Sequence, residues 1–444
     1  MSKDSVSYRV AMLFCSNLIL QLMGFVYRIA LSRSAPASAL GLNSLIMQIY
    51  GIVVSVCISG LNIAVSGLAA KHGREKVGSI FSSALIVYCA LYLCAALPIG
   101  LFSKRIGRAV LGNASAQGTL LLMLACIFLT GVENVLKSVH FGTGHVRRCA
   151  VSELIEQSVR FVLVIVLLKS IWRDSDAKTV FLIMLGMLMS ETVSVTNLSV
   201  SYARLFGGER VEKRGAFILP LAGIAFPATL TAVSSTVFSS IGALRLPVYL
   251  MRSGLGYEAA LSEIGELNTV CMPIAALPMS LALAVSTVLM PETSRLAARG
   301  RDPMPLIKKA FALTAAAGCC SLLLLGLVSG RAASLFFGRE ADMSVMILLL
   351  FRTFALMLQA VSISAMNGLM MQKRVLFFAV TGEAYQLLLI SLAAPALGVA
   401  GYITASAAGE AVRLACNLLC IFANGKNRYG NQPANMIKSY NNPN

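Results

Sequence analysis

Residues 41–70 read GLNSLIMQIYGIVVSVCISGLNIAVSGLAA, without one Asp, Glu, Lys or Arg. At about 1.5 Å per residue a helix of this length exceeds the roughly 30 Å hydrocarbon core of a bilayer. In lipid the backbone must bond within itself, so such a run predicts a membrane helix. Among its polar residues, Gln48, Ser55, Ser59, Asn62 and Ser66 are spaced by 7, 4, 3 and 4, which puts them on one helical face. A face like this either lines a watery cavity or packs on another helix through small polar groups. A stripe more than four turns long favours the cavity.

The pattern recurs through all 444 residues, of which 57% are hydrophobic and 13% charged. Soluble domains carry about a quarter charged residues. Spans are expected at 10–31, 41–70, 79–102, 117–141, 150–171, 179–203, 216–245, 262–294, 308–328, 343–371, 375–395 and 398–423, with Pro227, Pro273 and Pro278 as kink sites. The alternating segments of about ten residues that mark a membrane β-barrel do not appear. The fold class expected is an all-α polytopic membrane protein of about twelve transmembrane helices in two six-helix lobes.

The net charge of +18 sits in short Lys/Arg clusters between the apolar runs. Loops facing an anionic inner leaflet have this character. No basic tract interleaved with aromatics occurs, so nucleic acid is not an expected partner. With the N-terminus inside, inside loops outweigh outside loops in Lys and Arg by roughly two to one. Both termini are therefore expected in the cytoplasm, in a multi-pass protein of a cytoplasmic membrane. The ends of spans two and eight, Leu68-Ala69-Ala70-Lys71 and Leu296-Ala297-Ala298-Arg299, hint at internal duplication. The organisation expected is a cytoplasmic N-terminus at 1–9, a first lobe at 10–205, a linker at 206–215, a second lobe at 216–423 and a disordered cytoplasmic tail at 424–444.

A charge at mid-helix costs about 2.5–3.5 kcal/mol, so charged residues inside spans need a cavity or a partner. Asn17, Gln21, Gly24 and Arg28 share one face of span one. Arg28, Arg245 and Arg352 have no acid within a turn of their own helices, and guanidinium groups bind phosphate bidentately. The substrate cavity is expected to draw on Asn17, Gln21, Arg28, Gln48, Ser55, Asn62, Arg245, Glu266 and Arg352. Glu133 with Lys137, Glu156 with Arg160, and Glu410 with Arg413 stand at i, i+4 or i, i+3, which suits structural ion pairs.

No Walker A loop, His-Glu-x-x-His or GxSxG occurs, so no enzymatic activity and no catalytic residue are expected. The eleven cysteines lie mostly in apolar runs without a CxxC, and His72, His140 and His145 are scattered, so no metal site is expected. No cofactor is expected, and a coupling ion or the membrane potential is left open as the energy source.

Gly24-Phe25-Val26-Tyr27-Arg28-Ile29-Ala30-Leu31-Ser32-Arg33, then Gly41-Leu42 and Met47-Gln48-Ile49-Tyr50-Gly51, resemble the opening of the stage V sporulation protein B family of polysaccharide flippases. Ile155-Glu156-Gln157-Ser158-Val159-Arg160, Ile264-Gly265-Glu266-Leu267, Leu277-Pro278 and Leu289-Met290-Pro291-Glu292 extend the resemblance over about 8–420. It belongs to the exporter superfamily that also holds multidrug and toxin extrusion antiporters and the lipid II flippase. The resemblance implies a V of two lobes, alternating access and a basic cavity for an undecaprenyl-pyrophosphate-linked sugar, with Arg28 as a cavity arginine. Family members often have fourteen spans against the twelve expected here, and the lipid II flippase has an arginine cluster where this chain offers one clear arginine.

The expected function is translocation of a lipid-linked cell-wall or polysaccharide precursor, such as one for spore cortex, with the bilayer and that substrate as partners and cell-wall synthesis enzymes as candidate ones. The rival within the superfamily is a drug or cation antiporter, against which stands the lack of a carboxylate in spans one to three. A membrane glycosyl- or acyltransferase would need a long polar catalytic loop. A non-transporting scaffold of a wall-synthesis complex is the remaining alternative.

Overall fold

The computed structural model describes residues 3–109, 111–112, 116–171, 174–207, 215–338 and 342–429. Among these residues the chain is helical throughout, with no strand. Its helices are α1 Lys3–Ser34, α2 Ala37–His72, α3 Val77–Leu101, α4 Ser103–Ala109, α5 Gln117–Gly142, α6 Val146–Ser170 and α7 Asp176–Phe206. There follow α8 Ile218–Arg252, α9 Tyr257–Glu266, α10 Met272–Ala275, α11 Met279–Ala298, α12 Met304–Ala332, α13 Met343–Gly368 and α14 Gln372–Tyr429.

Local chemistry sets several boundaries. Pro36 opens α2 in extended geometry. Gly73 closes it at φ 65°, its N–H donating to the Ala69 carbonyl. The Ser175 hydroxyl accepts from Lys178 N at 3.3 Å to start α7, and Asp342 accepts from Ser344 N at 2.8 Å to start α13. The expected span 262–294 is broken: a π-helical turn at Leu267–Cys271 follows α9, and the chain bends between α10 and α11 where Pro273 and Pro278 stand. In contrast, α8 runs as one helix through Pro227. Gly398, at φ 62° and ψ −140°, folds α14 into two arms, as only a residue without a Cβ does readily.

Among the described residues eight helices are long and apolar enough to span a bilayer, or nine if the bent pair around 276–278 counts as one. The expected twelve adds α1 and α6 and counts both arms of α14. The 1–9 segment expected outside the helices is helical from Lys3. α14 continues past the expected end at 423 to Tyr429, and the remainder of the expected tail, 430–444, lies outside the described residues.

Contacts gather the chain into two compact units, Met1–Val270 with Phe336–Gly338, and Cys271–Leu335 with Arg339–Asn444. This parting differs from the linker expected at 206–215, most of which lies outside the described residues. The physical reason is α2, whose long buried face packs on both α8 and α9 and holds them in the first unit. In that unit α2, α3, α5 and α7 share a core built around Leu42, Ile46, Tyr88, Leu120 and Ile127. In the second, Leu289, Ile307, Val361, Met366 and Ile421 form a smaller core. The outer surface is apolar: Leu97, Val162, Leu323, Leu327, Leu392 and Leu419 are all more than half exposed. Charged side chains such as Glu133, Glu410 and Arg413 are buried instead. Apolar outside with polar groups paired inside is what a lipid solvent requires.

Candidate functional site

Two aromatic contacts flank the polar face of α1, one on each side. Phe25 stacks edge-on to Phe337 at 5.7 Å and Tyr27 to Phe161 at 6.4 Å. Gln21 and Arg28 are exposed. The side chain of Asn17 lies outside the described ones. Ser55 on α2 is buried, and Gln48 and Asn62 are half-buried. Gln48 accepts from Ser240 of α8 at 3.1 Å. Asn62 donates to Asn134 and accepts from Ser138 of α5, both at 3.1 Å. Tyr50 and Thr130 share a 2.9 Å hydrogen bond. Gln48 and Asn62 of the α2 stripe thus fasten α2 to α8 and α5, whereas Ser59 and Ser66 bond back along α2.

Arg245 is exposed on α8 and Glu266 half-buried at the end of α9. Arg352, on α13 in the second unit, places Nη1 3.8 Å from the Met272 sulfur. Its buried Nε has no hydrogen-bond partner.

The charged residues of α5, α6 and α7 come together. Lys137 Nζ stands 2.8 Å from Glu133, 3.1 Å from Glu153 and 3.8 Å from Glu156. Arg160 pairs with Glu156 on its own helix and with Glu191 of α7 at 3.0 Å. Its Nε donates to Ser190 at 3.2 Å. The Ser194 hydroxyl donates to Glu133, and Ser152 bonds to Ser194 at 3.0 Å. Carboxylate oxygens of Glu133, Glu156 and Glu191 all lie within 4.8 Å of one another. Three buried carboxylates, with half-buried Glu153 beside them, therefore face two cations. Glu191 Oε2 is buried without a hydrogen-bond partner.

Sequence reasoning missed Glu191 because α7 offers it no partner one turn away. A lone acid deep in an apolar span was the available signal. The second unit repeats the lesson. Arg413 pairs with Glu410 on its own arm, but also with Glu383 at 2.5 Å and Gln386 at 3.2 Å on the other arm of α14. Asn417 donates to Ser362 of α13 at 3.0 Å.

Comparison with known proteins bears on what such a bundle does. A family model described as "Polysaccharide biosynthesis protein" matches residues 8–297. The chain belongs to this family. It is 21% identical over 319 residues to stage V sporulation protein B of Bacillus subtilis (strain 168), across 66% of this chain and 59% of that relative's length. It is similar in fold to an inward-facing multidrug resistance MATE family transporter of the MOP superfamily, with a TM-score of 0.75 at 15% identity over 96% of this chain and all of that one. The lipid II flippase MurJ in an inward closed conformation gives 0.73 at 12% identity, over 92% of this chain and 87% of that one. This polysaccharide biosynthesis family member is a multi-pass membrane protein with the fold of MOP-superfamily transporters.

Proposed function

We propose that this protein carries a lipid-linked, phosphate-bearing saccharide precursor across the cytoplasmic membrane by alternating access of two six-helix lobes, both termini being cytoplasmic. The observation that carries this reading is a polysaccharide biosynthesis family member built as a membrane-spanning bundle with a transporter fold. Sugars made on a lipid carrier inside the cell must cross hydrocarbon to be polymerised outside, and a charged headgroup does not cross unaided. Arg28 is the first candidate to meet a phosphate, being exposed on the polar face of α1 with Gln21 about two helical turns away. Arg245, Glu266 and Arg352 complete the proposed set, and cell-wall synthesis enzymes are the proposed recipients of the product.

The test is transport of a fluorescent undecaprenyl-pyrophosphate-linked sugar in proteoliposomes. Wild type is expected to move it. Arg28→Ala should fold and lose at least tenfold in rate, with Arg28→Lys intermediate. A second reading, cation-coupled drug antiport, is favoured by the acidic cluster of Glu133, Glu156 and Glu191. That reading takes over if wild type leaves the lipid in place but exports a cationic dye against a proton or sodium gradient.

A further inference from the structure

The start of α6 and the end of α7 form an open cavity of about 370 Å³, lined by Arg147, Arg148, Asn197, Ser201 and Arg204 with Val151, Leu198 and Val200. Ligand pockets begin at about 300 Å³. We propose that this cavity holds the phosphate group of an anionic membrane lipid, its chain lying along the groove between α6 and α7.

Three features argue for this ligand. The lining brings three guanidinium groups together and contains no carboxylate. Like charges lining one pocket repel, and a phosphate offers them shared, charge-assisted acceptors that offset this.

One of the three is held in place by a relay through three helices. The buried His140 of α5 has Nδ1 2.8 Å from the Leu136 carbonyl, so Nδ1 carries the hydrogen and donates it. Its Nε2 lies 3.0 Å from the Ser201 hydroxyl of α7. That hydroxyl accepts from Arg148 Nη1 at 2.8 Å, and the Ser201 carbonyl lies 3.4 Å from the same nitrogen. Arg148 is therefore positioned at the cavity by the interior, whereas an arginine serving only to mark a cytoplasmic loop needs no such support.

The apolar lining continues away from the arginines. Val151, Ile155, Val162 and Val166 are exposed at spacings of 4, 7 and 4 on α6, and Met189, Val193 and Val200 at 4 and 7 on α7. These spacings keep each set on one helical face. A basic end that leads into a lipid-facing apolar groove matches a phospholipid headgroup and its acyl chain. A free phosphate would use only the first half of the site.

The experiment uses the full-length protein purified in detergent, with phosphatidylglycerol or phosphatidylcholine added. Bound lipid is counted by native mass spectrometry and stability is read as Tm. Phosphatidylglycerol is expected to remain bound and raise Tm by several degrees more than phosphatidylcholine. Arg147→Gln with Arg204→Gln, both exposed and outside the relay, should cut retained phosphatidylglycerol at least fivefold without changing the lipid-free Tm. The double Arg→Lys variant should restore most of it. The proposal falls if the Gln variant retains phosphatidylglycerol like wild type, if phosphatidylcholine binds equally, or if inorganic pyrophosphate reproduces the whole Tm shift. None of these readouts depends on transport.

Discussion

Lys137 and Glu191 show how differently two charges in one network act. Lys137 touches Glu133, Glu153 and Glu156, so its removal leaves carboxylates facing one another with a single cation near. Breaking a buried ion pair by deleting one partner costs about 3–5 kcal/mol, because the other charge stays buried and uncompensated. Glu191 is the surplus acid, and one of its oxygens has no donor. Glu191→Gln removes a charge the site already has in excess and keeps the side chain's shape. We expect Lys137→Ala to unfold far more readily than wild type and Glu191→Gln to stay within about 1 kcal/mol of it, as read by thermal unfolding in detergent. Equal losses in the two variants would mean that the charge balance of the cluster is wrong. Arg413, gripped by Glu383 and Glu410, belongs with Lys137 in this respect.

The crossing of α2 and α9 depends on two glycines. A Cβ on Gly41 would overlap the Leu261 carbonyl, and one on Gly265 would overlap that of Ala37. The backbones meet because neither residue has a side chain, the usual means of close helix contact in membranes, where lipid gives apolar surfaces little reason to associate. Gly41→Val or Gly265→Val should therefore force the helices apart and lower stability by about 1–3 kcal/mol, the range for overpacking a filled site. Gly67, with open space around its Cβ position, is the control and should tolerate alanine. If the valine variants melt like wild type, α2 and α9 do not meet as described. The aromatic contacts of Phe25 and Tyr27, one on each flank of the Arg28 face, belong to the same scale.

For the whole molecule, an even number of passes places both ends on one side of the membrane. A green fluorescent protein fused at the C-terminus should fluoresce, and alkaline phosphatase fused at the same place should be inactive. The reverse pair of results would put that end outside and refute the cytoplasmic placement of the termini. Membrane residence, the helical class and most span positions were legible in the sequence, because a lipid solvent demands long apolar runs and nothing else in the chain produces them. The intrahelical pairs of Glu133, Glu156 and Glu410 were legible too, since three- and four-residue spacing on a helix is local geometry. The partners Glu191 and Glu383, the helices that Gln48 and Asn62 meet, and the arginine cavity of α6 and α7 were not; the break near Gly398 was, as the gap between the spans expected at 375–395 and 398–423. Each of the features that were not legible joins residues distant in sequence. Periodicity states which face of a helix is polar; only the packing of neighbouring helices decides what that face meets.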